Sequence, residues 1–223
     1  MPGSRLLVSR FRLARQKGSG HQMIEQLKSP VVAAPMAGGV SNPDLVSEVG
    51  SAGGLGFLAA GYLDEEALAE QISSVRGRGV DAFGVNLFVP HGHEEVELAD
   101  YEQRVKAEAR AYGVQAGTPH WDDDQYQAKV ELVLTAGVPV VSFTFGVPAA
   151  ATVRRLHSSG TQVVVTVTTP DEARLAAEVG ADVLCVQGAE AGGHRSVFAD
   201  DGVAPGGGTL YGLLAALRLI SST

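Results

Sequence analysis

Residues 138–187 read VPVVSFTFGVPAAATVRRLHSSGTQVVVTVTTPDEARLAAEVGADVLCVQ, and this stretch decides the fold. Three apolar runs, at 138–145, 162–167 and 181–187, alternate with two amphipathic stretches at 148–158 and 170–179. Pro170 opens the second stretch at the first helical turn, where its missing N–H costs nothing. The strand runs are apolar almost throughout, as expected for a sheet covered on both faces. Strand and helix in alternation give parallel strands joined by helical crossovers.

The same rhythm extends in both directions. An apolar run at 31–34 ends at Pro35, and Asn42-Pro43-Asp44 opens a helix to about Ala52, closed by Gly53-Gly54. A second strand falls at 55–60. Asp64 caps a helix from Glu65 to about Arg76, with Ala67, Leu68, Ile72 and Val75 at helical spacing. The third strand, 82–89, precedes an excursion at 91–137. The excursion holds a charged helix from Glu94 to about Tyr112, a Gly/Pro loop, and a helix from the Trp121-Asp122-Asp123-Asp124 cap to Thr135. After the sixth strand a glycine-rich loop, 188–208, leads to a last helix, 209–220.

Six βα units fit a six-stranded open sheet or part of an eight-stranded barrel. No GxGxxG follows the first strand and no GxxxxGK[ST] occurs, so neither nucleotide-binding open sheet is supported. Polar and glycine signals sit instead at the C-terminal ends of several strands: Pro35-Met36-Ala37, Asn86, Thr144–Gly146, Thr166, and Gln187 through His194. A barrel active site requires that distribution. The expected fold is α/β, of the (β/α)8 TIM-barrel type, incomplete, with about six of eight units present. Residues 29–223 form the barrel and 1–28 a basic leader expected to be disordered.

Composition narrows the partners. The 223 residues are 45% hydrophobic and 19% charged, within the globular range. With 17 basic and 25 acidic residues the net charge is −8, which argues against nucleic acid. No apolar run approaches the roughly 20 residues of a membrane span. The early basic residues Arg5, Arg10, Arg12, Arg15 and Lys17 resemble a mitochondrial presequence or a disordered leader, and the second reading is taken, with a cytoplasmic location. Cys185 is the one cysteine, so neither an intrachain disulfide nor a thiolate cluster is available. Within its apolar strand it reads as inert packing.

The most informative chemistry lies in CVQGAEAGGHR, 185–195. Small residues let backbone approach a flat ligand and expose N–H donors. His194, at the lip of the pocket, titrates near neutral pH and is a candidate base; a plain glycine-rich loop is the competing reading. His91 and His93 have no ligand partner at metal spacing and read as pocket rim. Asp122–Asp124 beside His120 read as a helix start, Trp121 as an anchor of the excursion, and His21 and His157 carry no chemical context. No metal site is expected.

The segments PVVAAPMAGGVSNPDLVSEVGSAGGLGFLAAGYL, FGVNLFVP, VVSFTFGVP and VQGAEAGGHR, in that order, resemble the nitronate monooxygenases, formerly called 2-nitropropane dioxygenases. The resemblance runs from about Pro30 to Leu219. It implies an FMN-dependent flavoprotein oxidoreductase that oxidises alkyl nitronates with dioxygen to carbonyl compounds and nitrite. It places Pro35, Met36 and Ala37 against the flavin and has Asn86 hydrogen-bond it. Gln187, Gly192 and Gly193 lie around the ring and ribityl chain, Thr166 joins the cofactor site, and His194 is the base. A related reading is an FMN- and NADH-dependent enoyl-acyl-carrier-protein reductase; a third is an inactive barrel fragment. Against the family, the chain lacks the last two βα units, which implies truncation, weak or absent FMN binding, and self-association through open barrel edges.

Overall fold

The computed structural model describes residues 23–92, 97–199 and 211–221. Six parallel strands form one sheet in sequence order: β1 (Val32–Ala33), β2 (Leu55–Ala59), β3 (Phe83–Phe88), β4 (Val140–Thr144), β5 (Gln162–Val167) and β6 (Val183–Val186). Between them run α1 (Pro43–Ser51), α2 (Glu65–Gly77), α3 (Ala99–Ala111), α4 (Tyr126–Thr135), α5 (Ala150–Ser158) and α6 (Pro170–Val179), with α7 (Leu213–Ser221) after β6. The strand order and the helical crossovers are those of an incomplete (β/α)8 barrel.

Strand parity separates two faces. Phe83, Val85, Leu87, Val141, Phe143, Val163 and Val165 pack outward with helix residues such as Leu68, Ile72, Val133 and Leu156. The intervening residues line the concave face. At its N-terminal end Leu55, Phe57, Val140 and Val164 meet Met23, Ile24 and Leu27 in a second apolar cluster. The Ile24 amide also donates to Gln162 Oε1 at 3.2 Å. Residues 23–27, assigned to the leader by composition, thus stopper the floor of the barrel, and the short turn Ile24–Gln26 belongs to the folded unit. Gly84 completes that floor: a Cβ there would lie 2.2 Å from the Phe57 ring, which crosses it.

Several boundaries shift from the sequence expectation. β1 is two residues long, not four, because only Val32 and Ala33 pair with Leu55 and Gly56. β6 likewise shortens from 181–187 to Val183–Val186. Among the described residues, the charged helix starts at Ala99 rather than Glu94; residues 93–96, including His93, lie outside them. The Trp121–Asp124 cap does not start α4. Asp122 and Asp123 instead accept the amides of Asp124 and Gln125 in local turns, and the helix begins at Tyr126 behind a left-handed Gln125. Lys129 explains the change. It is 1% exposed, and its Nζ pairs with Asp124 Oδ1 at 2.8 Å and donates to the Ala60 carbonyl at 2.9 Å. Burying this ammonium demands a carboxylate, and Asp124 is drawn inward to supply it.

Tyr126 leaves a buried hydroxyl without a partner, and burial raises its pKa to about 12. The folded state therefore favours the neutral phenol. Its contribution is intact below the unfolded value of about 10 and is lost as pH rises toward the folded value. Tyr126→Phe should stabilise the chain by about 1 kcal/mol by removing an unsatisfied buried group. It should also flatten the stability loss between those pH values, as denaturant melts at stepped pH will show.

Candidate active site at the barrel mouth

Above the apolar floor, the concave face turns polar toward the strand C-termini. Parity brings Asn86 of β3, Ser142 and Thr144 of β4, Thr166 of β5 and Cys185 of β6 onto it, with Asn86 opposite Ser142 and Thr166 opposite Cys185. Asn86 is 2% exposed, and its Oδ1 accepts the Ser142 and Thr144 hydroxyls, both at 2.8 Å. Those two donors fix the flip of the amide. Its NH2 group has no acceptor among the described residues and is the donor left for a ligand.

Cys185 overturns the expectation of inert packing. Leu184 and Val186 point to the helices, so Cys185 faces the concave side and is exposed. Partial desolvation of the thiol by the surrounding protein raises its pKa, and the Thr166 hydroxyl only partly opposes this. The thiol is accessible but sluggish.

The loop after β6 carries His194, and side chains clamp it in three places. Gln187 Nε2 donates to the His194 carbonyl at 2.9 Å, and its Oε1 accepts the Ser196 amide at 2.8 Å. The side-chain amide thus holds the loop at two points. Glu172 of α6, buried, closes the second clamp. Its Oε2 takes Thr168 N at 2.5 Å, Thr168 Oγ1 at 2.8 Å and Thr169 N at 3.2 Å, while Oε1 reaches across to Phe198 N at 2.9 Å. The third is Glu190, whose carboxylate accepts Leu213 N at 2.9 Å and ties the loop to the start of α7. Hydrogen bonds from its own amide and from Leu213 hold Glu190 below the usual carboxylate range.

Between the clamps, Gly192, Gly193 and His194 are exposed, with Gly193 at φ 82°. Arg195 is partly buried, and its Nε and Nη2 are buried without a hydrogen-bond partner. Across the mouth, Pro35, Met36 and Ala37 form the turn after β1. Ser41 secures it, its Oγ accepting the Met36 amide at 2.8 Å and donating to the Ala34 carbonyl at 3.3 Å. Met36 is exposed and Pro35 and Ala37 partly so.

Thr166, Asn86, the 35–37 turn and the His194 loop therefore share one end of the barrel. Other candidates lie apart. His157 Nε2 meets Asp182 Oδ2 at 3.0 Å in an exposed pair joining α5 to the residue before β6. His91 and His120 are exposed, Trp121 is half exposed, and His21 is outside the described residues. No group of three or more potential metal ligands occurs among the described residues. Glu172 escaped the sequence reading because a Thr-x-x-Glu pattern before an apolar stretch signals only a capping box. It does form that box with Thr169, and its second oxygen goes further.

An incomplete barrel with a polar mouth and a clamped histidine loop defines the class: a (β/α)8-type enzyme with its site at the strand C-termini. A family model described as nitronate monooxygenase matches residues 21–217. The chain belongs to the nitronate monooxygenase family. It is 35% identical over 175 residues to a probable nitronate monooxygenase of Bacillus subtilis, covering 77% of this chain and 50% of that protein. A probable nitronate monooxygenase of Staphylococcus aureus is 33% identical, over 77% of this chain and 49% of the relative. The nitroalkane oxidase of Streptomyces ansochromogenes superposes with a TM-score of 0.84 at 42% identity, over 90% of this chain and 57% of that one. FabK from Thermotoga maritima, at 24% identity and a TM-score of 0.64, shares the fold. The chain spans about half the length of the curated relatives it matches. No helix among the described residues is long and apolar enough to cross a membrane.

Proposed function

We propose that this chain serves the oxidation of alkyl nitronates, and of neutral nitroalkanes after deprotonation, by dioxygen to a carbonyl compound and nitrite, with FMN on the concave face. The observation that carries the reading is the pairing of a clamped, exposed His194 with a buried Asn86 whose NH2 lacks an acceptor among the described residues.

The residues present suit a flavin. The 35–37 turn and Gly192-Gly193 offer exposed backbone to a flat ring, Asn86 offers an amide donor, Thr166 a hydroxyl, and Gln187 shapes the edge of the pocket. Bound FMN would supply the electron acceptor and the oxygen chemistry. The protein's part is acid–base work and positioning. An imidazole nitrogen of His194 takes the proton from the carbon beside the nitro group, a carbon acid within reach of imidazole. The imidazolium then offsets the charge of the nitronate. Holding both reactants in one mouth provides the orientation. Self-association through the β1 and β6 edges belongs to the same proposal.

The test is direct. Chain saturated with FMN and given a preformed nitronate should release nitrite in air without NADH. Absence of nitrite from the FMN-saturated chain, or anaerobic bleaching of the flavin by NADH, would overturn the reading in favour of a reductase.

A further inference from the structure

Two aromatic residues at the mouth hold backbone angles that bulky side chains rarely adopt: Tyr62, after β2, at φ 66°, and Phe145, after β4, at φ 70°. Strain of this kind concentrates at ligand sites. Both rings meet Phe88 at the end of β3. Tyr62 approaches it edge-on with centroids 5.7 Å apart and an interplanar angle of 76°, and Phe145 does so at 4.9 Å and 65°. Phe88 is paired with Thr144 and lies two residues beyond Asn86, so parity places it on the concave face.

The sequence makes room for this wall and braces it. Gly61 has no Cβ where one would come within 2.2 Å of the Phe88 ring. The strained Tyr62 amide donates to Asp124 Oδ1 at 2.9 Å, and buried Lys129 holds that carboxylate. Gln125 Oε1 takes the Glu65 amide at 3.0 Å, closing the other end of the turn. Yet Tyr62 remains 75% exposed, so its position is not explained by burial of its ring.

We propose that Tyr62, Phe88 and Phe145 form an alkyl subsite that favours nitroalkanes and nitronates with a chain of several carbons. This rests on the proposed function. The wall adjoins Asn86 on β3, while His194 follows β6, three strands further round the mouth. A substrate with its nitro carbon at His194 would extend its apolar tail toward the aromatic edges. Each buried methylene strengthens binding about fourfold.

Phe145→Gly and Tyr62→Gly make the test sharp, because glycine accepts positive φ, so the ring is removed without adding backbone strain; a thermal melt checks that both variants fold. Saturation-transfer NMR with 1-nitrohexane, on the FMN-saturated chain, should show transfer from aromatic protons to the tail methylenes. Either variant should reduce it severalfold, and nitroethane should bind equally weakly to all three proteins. Where turnover is measured, the preference in kcat/KM for 1-nitrohexane over nitroethane should fall about tenfold in Phe145→Gly. No tail transfer in the parent chain, or transfer undiminished in both glycine variants, would overturn the proposal. Tail contact that persists in His194→Asn, in a chain that releases no nitrite, would support the subsite while the proposed activity failed.

Discussion

Replacing His194 with asparagine should lower turnover of a neutral nitroalkane by about 10²–10⁴-fold, the range for loss of a positioned general base. A preformed nitronate needs no deprotonation, so its oxidation should fall far less. The geometry supports this separation. The Gln187 clamp grips the His194 carbonyl, not its ring, so the loop keeps its course when the side chain changes. FMN affinity should also be nearly unchanged, because the proposed donors are backbone groups of the loop and side chains of other strands. Paired initial rates on nitroethane and ethyl nitronate measure the effect; equal losses on both would remove His194 from the role of base.

Glu172→Leu should be the most damaging change outside the mouth. It leaves the Thr168 and Thr169 amides, the Thr168 hydroxyl and the Phe198 amide without the acceptors they now share. Thr168 is fully buried, so water cannot replace the carboxylate there. At about 1 kcal/mol or more for each orphaned donor, a loss of about 3 kcal/mol or more is expected. Local and global effects can be distinguished by hydrogen exchange under native conditions. The amides of 194–198 should lose protection beyond the change in global stability, since Phe198 anchors the far end of the loop. Exchange there that merely tracks the global change would show that Glu172 caps α6 and does not govern the His194 loop.

Much of this architecture is legible in the residues. The apolar run Gln162–Val167 and the Thr169-Pro170 start of α6 follow from local chemistry, and the structure keeps both bounds. The clustering of Asn86, Thr166 and the His194 loop at one end follows from strand polarity once the strands are parallel. What local pattern misses is decided by the folded surroundings. Asp124 resembles a helix cap until buried Lys129 claims it. Cys185 resembles core until strand parity turns it to the concave side. In both cases the folded surroundings outweigh the local sequence pattern.

The central claim, that the polar concave face is the flavin site, is tested most directly through Cys185, the one cysteine and a resident of that face. Its raised pKa means that modification by a disulfide reagent should be slow at neutral pH and accelerate only at a pH above that needed by a free thiol. At a fixed alkaline pH, increasing FMN should slow modification along the same saturation curve as flavin fluorescence changes on binding, with half-protection at the same concentration. A modification rate indifferent to FMN, while flavin fluorescence reports binding, would place the cofactor elsewhere and contradict the account.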